Sequence, residues 1–319
     1  MRGAFLFGIW VINKVDMERV GLFYSIFSAD DVQLSFKYLV AMVKNIYVFE
    51  KYKMKEMGLN MIIYTDQFTL NVLKMILTQE KIDDSNVEYR IKPRNIDMKG
   101  MIWRLRGLVD NTFDISIIME GDFEIEKYFR YIDVFRKYPL SPIFVYSARQ
   151  IDKCDCAFAT GYVMARPRLI SGENKKRLEN CITLIEHLDT VDYAVDERFI
   201  NKFISKHFQY EKILVHIAKL GIKFAITDIA AEKNSILQRF KNAIIVDNND
   251  IRASQKNSPF LTIESQTPSS KIRFSKEYRL NGVRYDTSVQ NYHGRKINIS
   301  TRGDDFCEDR LFAIIDPII

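Results

Sequence analysis

The first two thirds of the chain alternate short apolar runs with longer stretches whose apolar positions recur every three or four residues. Residues 22–27 read as a strand ending in the polar turn Ser28-Ala29-Asp30-Asp31, which also makes a good helix N-cap. Beyond that turn Leu34, Tyr38, Leu39, Met42, Val43 and Ile46 fall on one helical face. Gly58 closes the unit, and residues 59–66 read as the next strand, ending in a hydroxyl residue and an acid. The alternation continues with a helix around 70–78, a strand over 87–91 and a helix around 100–110. A fourth strand over 113–119 stops at Glu120-Gly121-Asp122. Serial β-α-β units predict an α/β fold, with a mostly parallel sheet, right-handed crossovers and helices on both faces. In such sheets ligands collect at the carboxyl ends of the strands, where acids and hydroxyls recur in this chain.

Downstream the order loosens. Residues 156–165 predict a strand interrupted by Gly161 and closed by Arg166-Pro167, and 175–187 and 195–207 predict helices. Further strands are expected over 224–227 and 243–246. The stretch 247–276, polar and containing Pro259 and Pro268, reads as a long surface loop. The tail is apolar enough to dock on the body. The predicted organisation is therefore one large domain over 1–246 with an extension over 247–319. The apolar run at 5–12 is far shorter than the ~20 residues that span a bilayer. It lacks the flanks of a signal peptide and reads as a buried strand. No later segment suits a membrane span.

Composition narrows the function classes only a little. The 319 residues suit a sizeable core, and 47 Lys and Arg against 41 Asp and Glu leave a net charge of +6. The basic residues are interspersed, which allows a phosphate-bearing ligand and disfavours nucleic acid as a partner. Cys154, Cys156, Cys181 and Cys307 form no disulfide framework, so a reducing, cytoplasmic setting is expected. The Cys-Asp-Cys spacing has no matching pair and no nearby histidine, which points to buried free thiols. His187, His207 and His216 follow apolar patterns and read as structural.

The sharpest chemical feature is the turn Glu120-Gly121-Asp122. Two carboxylates around a glycine at a strand end can converge on a hard divalent cation, Mn²⁺ or Mg²⁺. Such a cation neutralises a diphosphate and stabilises its departure. An ordinary acidic loop after a buried strand is the alternative.

Taken together, several segments resemble the nucleotide-sugar glycosyltransferases of the GT-A type. The strand and polar turn at 24–30, with the strand at 61–66, are similar to the family's nucleotide-binding start. Residues 102–106 followed by 113–122 resemble its basic helix and its D-x-D strand. Residues 158–167 resemble its acceptor-side segment, and 195–201 its "aspartate-glutamine, apolar, asparagine" helix. The segments occur in family order over roughly residues 20–205. The nearest subgroup is the glycogenin-like retaining transferases, in which a late histidine completes the metal site and a lysine touches the diphosphate.

The resemblance implies a metal-dependent, retaining hexosyltransferase that uses a nucleotide-diphosphate sugar, UDP-linked, and acts on a protein or glycan acceptor. It implies Glu120, Asp122 and His293 as metal ligands. Ser28 and Asp30 would bind the nucleoside, Arg104 and Lys296 the phosphates or sugar, and Thr160 and Gly161 would line the sugar pocket. Asp196 and Glu197 would face the donor sugar, with Asp196 preferred. Glu120 stands where the family has aspartate and Glu197 where it has glutamine. The other reading is a catalytically silent binding or structural protein with the same fold.

Overall fold

The computed structural model describes residues 18–27, 32–94, 98–122, 124–149, 151, 157–188, 195–217, 226, 228–255, 258, 277–280 and 283–286. In chain order the elements begin with β1 (Val20–Ser25), α1 (Val32–Lys51), β2 (Leu59–Asp66), α2 (Gln67–Gln79) and β3 (Val87–Lys92). A 3₁₀ helix (Met98–Val109) then leads to β4 (Ile115–Ile118), α3 (Phe129–Arg136) and β5 (Ile143–Ser147). These are followed by β6 (Met164–Ala165), α4 (Gly172–Glu186), α5 (Val195–His207), β7 (Leu214–Ile217), α6 (Ile229–Arg239), β8 (Ile244–Val246) and α7 (Asn248–Gln255). A separate antiparallel hairpin joins β9 (Glu277–Leu280) to β10 (Val283–Asp286).

The main sheet has eight strands in the order β3-β2-β1-β4-β6-β5-β7-β8. All pairings are parallel except those of the short β6, which runs antiparallel to both β4 and β5. Alternate side chains feed two cores. Leu22, Met61, Ile63, Ile117, Phe144 and Leu214 pack with α1, α2, α3 and α7 on one face. Phe23, Ile62, Ile118, Val145 and Val215 pack with the 3₁₀ helix, α4, α5 and α6 on the other. Because both faces are covered, the central strands are mostly apolar on both faces, as parallel sheets favour, with buried polar exceptions such as Ser116 and His216. This is the expected class, a mostly parallel α/β sheet with helices on both faces.

Local chemistry explains most of the boundaries. Gly58, at φ 84°, takes the left-handed conformation that lets the chain turn from the short helical turn at Met54–Met57 into β2. Asp66 ends β2 and caps α2, accepting the Thr69 N–H at 2.9 Å and the Thr69 hydroxyl at 2.6 Å. Ser171 and Asp228 cap α4 and α6 in the same way.

The structure also corrects the sequence reading. Among its described residues, 157–165, the expected strand at 156–165 is reduced to the two-residue β6 and an isolated bridge of Phe158 to Ser147, with a 3₁₀ turn at Thr160–Tyr162 between them. His216 lies on a strand, β7, and is buried. The polar stretch after Val246 opens with a helix, α7, whose first turn is capped by the Asp247 carboxylate and whose Ile251 reaches the core. Besides α7, the elements α3, β5, β7 and α6 and the β9–β10 hairpin were not anticipated. The strand expected at 224–227 and the run at 5–12 lie outside the described residues, Ile226 excepted.

The 3₁₀ helix sits unusually close to the sheet. A Cβ on Gly107 would lie 2.4 Å from the Phe23 ring, and one on Gly100 would lie 2.4 Å from Phe27. Arg104 is one 3₁₀ turn before Gly107, so the close approach also sets where Arg104 can reach. Gly107→Ala is expected to destabilise the protein by roughly 1–3 kcal/mol through overpacking. In urea unfolding, Phe23→Leu combined with Gly107→Ala should cost less than the sum of the two single changes, because they share one contact.

Candidate active site

The turn after β4 lies at the point where the strand order reverses. β1 leads outward through β2 and β3 on one side, while β4 begins the other side. The Met119 N–H still bonds the Phe23 carbonyl at 2.9 Å, and then the chain leaves the sheet as Glu120-Gly121-Asp122. Gly121 lies over the end of β1, with its Cβ position 4.0 Å from the Ser25 carbonyl oxygen. A switch point at the carboxyl ends of parallel strands is where open α/β sheets bind ligands.

Arg104 reaches this turn from the 3₁₀ helix and is buried. It donates to the Met119 carbonyl at 2.7 Å and to Asp196 at 2.5 Å, with Glu120 at 4.0 Å. Burial alone would lower the pKa of this guanidinium. The carboxylates of Asp196 and Glu120 more than offset that, and it is raised. Asp196 is also buried, and its second oxygen accepts the Glu197 N–H at 2.9 Å. With Oδ2 on Arg104 and Oδ1 on its own helix, Asp196 is tied into the protein; the half-buried Glu197 is the more accessible acid.

Because β6 is antiparallel, the residues before it lie at the same end as the β4 turn. Asn201 on α5 pins that segment, accepting the Phe158 N–H at 2.8 Å and donating to the Phe158 carbonyl at 2.7 Å. Thr160 is buried, and its hydroxyl has no hydrogen-bond partner among the described residues. Gly161 permits a close approach, and the group that approaches is Glu120: a Cβ at Gly161 would lie 2.4 Å from Glu120 Cγ. Tyr128 extends the floor of the site. Its hydroxyl lies 3.5 Å from the Glu120 N–H, and its ring starts a stack with Tyr162 and Tyr146.

The structure thus brings together Arg104, Glu120, Asp122, Thr160, Gly161, Asp196 and Glu197 from four separate segments. Ser28, Asp30, His293 and Lys296 lie outside the described residues. Arg149, which follows β5 and holds Glu197 at 2.8 Å, carried no signal of its own; Asn201, the asparagine of the family-like segment 195–201, serves here to anchor Phe158. A cavity of about 390 Å³ at the opposite end of β4 is lined by ions already paired with each other, Arg166 with Glu18 and Arg168 with Asp114.

Among the described residues, no group of three or more His, Cys, Asp or Glu side chains is arranged to hold a metal ion alone. Mg²⁺, however, usually takes only one or two carboxylates and completes its shell with phosphate oxygens and water. Glu120 and Asp122 fit that pattern electrostatically. Burial pushes the Glu120 carboxyl up to about 7; Arg104 pulls it down, while Asp196, Asp122 and Glu197 push it further up. A cation there would relieve the repulsion among these acids.

In the metal-free protein this shift has a definite sign. Between the ordinary value of 4.5 and about 7 the folded state holds a proton at Glu120 that the unfolded state has lost. The corresponding stability is complete below 4.5 and is lost as the pH rises through 7. With chelator present, Glu120→Gln should therefore be more stable than the parent at pH 8, by on the order of 1 kcal/mol after solvent screening. In urea titrations the advantage should vanish towards pH 4.5.

No protein-family model matches the chain, and no curated protein matches it. Solved structures with some likeness include 4-diphosphocytidyl-2C-methyl-D-erythritol synthase from Anaerococcus prevotii, with 14% identity and a TM-score of 0.38 over 70% of this chain and 100% of that one. Another is Rv0371c from Mycobacterium tuberculosis in complex with manganese, with 12% identity and a TM-score of 0.34 over 70% and 98%. A third is a protein provisionally named a nucleotide-diphospho-sugar transferase from Desulfovibrio desulfuricans G20, with 9% identity and a TM-score of 0.32 over 77% and 93%. These likenesses are too distant to carry an argument about fold or activity.

Proposed function

We propose that the protein is a metal-dependent glycosyltransferase that moves a sugar from a nucleoside-diphosphate donor, UDP-linked, to a protein or glycan acceptor. One observation carries this reading: four carboxylates and two guanidiniums converge at the carboxyl-end switch point of a parallel sheet. Among the described residues, four acids face two arginines there, a balance that suits a divalent cation. Asp122 and Glu120 would hold Mn²⁺ or Mg²⁺, which when bound neutralises the diphosphate as a leaving group.

The chain's own residues divide the remaining work. Glu197 presents a carboxylate that stabilises positive charge developing on the donor sugar as its bond to the diphosphate breaks. Asp196 and Arg104 act as positioning residues, since each is held by the other. The Thr160-Gly161 turn shapes the floor against which Glu120 rests. The hexosyl type, the retaining outcome and the placing of Ser28, Asp30, His293 and Lys296 at the donor come from the family resemblance and belong to the same proposal.

A second reading, a silent protein that keeps the fold, has one observation in its favour. Arg104 is committed to protein partners, and Glu120 is tucked against Gly161 instead of standing clear. The two readings separate in one experiment. UDP-sugars should be hydrolysed slowly in the presence of Mn²⁺, and Asp122→Ala, an exposed position, should remain folded and lose at least about 100-fold in rate. Binding of UDP-sugar with no enhancement by Mn²⁺, and no turnover, would establish the silent reading.

A further inference from the structure

Arg149 stands outside every segment that suggested the site, yet it is built into it. It follows β5, at the same end of the sheet as the Glu120 turn. The Ala148 and Arg149 N–H groups both donate to the Ala157 carbonyl, at 2.9 and 3.3 Å. The Ala159 N–H returns to the Tyr146 carbonyl at 3.0 Å, and the Ile151 N–H donates to the buried Glu232 carboxylate at 3.1 Å. The backbone that carries Arg149 is therefore held from both sides.

The side chain of this residue meets Glu197. Arg149 Nη1 lies 2.8 Å from Glu197 Oε1, and both side chains are 18% exposed. A charge-assisted contact at that distance and burial orders a carboxylate more firmly than an exposed pair does. Glu197 is fixed from its other side by α5, whose Asn201 side chain donates to the Glu197 carbonyl at 2.8 Å. Asp196 and Arg104 brace the neighbouring position. The carboxylate is thus oriented by a guanidinium on one element and by the backbone of another, which is the arrangement preorganisation requires.

We infer that Arg149 is a positioning residue for the proposed transfer: it aims the Glu197 carboxylate at the acid turn without itself touching the donor. The inference rests on the transferase reading and on Glu197 acting in it. The segment that follows β5 and the helix α5 are held together by the Phe158–Asn201 contact, which fixes the two elements that carry Arg149 and Glu197.

The test measures donor hydrolysis for the parent and for Arg149→Met, Arg149→Lys, Glu197→Gln and the Arg149→Met/Glu197→Gln double variant, with UDP-glucose and UDP-galactose as probes and saturating Mn²⁺. Arg149→Met should lower kcat roughly 10- to 100-fold while the donor KM stays within about twofold of the parent's. Arg149→Lys, which keeps the charge and loses the planar fork, should recover part of the loss. The double variant should be no slower than Glu197→Gln alone, because Arg149 acts only through Glu197. A double variant whose losses multiply, or an Arg149→Met protein whose loss falls mainly on KM, overturns the positioning role. Absence of turnover in the parent sinks the transferase reading itself, and the positioning role with it.

Discussion

The site depends on one buried guanidinium. Arg104 joins the connection between β3 and β4, the last residue of the β4 run and the first turn of α5 through two hydrogen bonds, to the Met119 carbonyl and to Asp196. Taking such a charge out of water costs several kcal/mol, and that cost is offset only when opposite charge and hydrogen bonds surround it closely. Arg104 therefore ties these three segments to one another. Its Nε–H alone lacks a partner among the described residues. Removing Asp196 would strand a buried cation, which is why Asp196 is better understood as part of this tie than as a freely presented acid.

The tie has electrostatic consequences for the turn it supports. Arg104 already satisfies Asp196, so it only partly compensates Glu120, which also faces Asp122 and Glu197. Among the described residues, Asp122, Asp196 and Glu197 all raise the Glu120 carboxyl while Arg104 lowers it. Arg149 supplies a second guanidinium, paired with Glu197 at 2.8 Å. The stacked tyrosines at 128, 162 and 146 lie beneath, a rigid apolar support with the polar edge of Tyr128 towards the Glu120 backbone.

The front of the fold was legible because its pattern and its punctuation agree. Gly58, the strand run ending at Asp66 and the helical spacing of Leu39, Met42, Val43 and Ile46 all survive in the structure. β5 and β7 escaped for a physical reason: Ile143–Ser147 and Leu214–Ile217 are buried on both faces, so they show no alternation, and such short, mostly apolar runs cannot be told from a piece of helix by period. α7 escaped because one buried residue, Ile251, and an Asp247 cap suffice to hold a short polar helix against α3. At the site, the Glu120-Gly121-Asp122 turn was readable as a strand end. Arg149 was not, because nothing in its neighbourhood marks it out.

By itself, then, the sequence determined the class of the fold, the strand that bears the acidic turn and the residue types available there, since apolar periodicity and strand ends are local properties. Only the tertiary structure decided which acid is presented and which is locked. Asp196 and Glu197 are adjacent in the chain and chemically alike, and they differ because one meets a buried arginine 92 positions away while the other meets Arg149 across the antiparallel insertion of β6. Ion pairing of that kind depends on distance and desolvation between remote segments, and no local pattern encodes either.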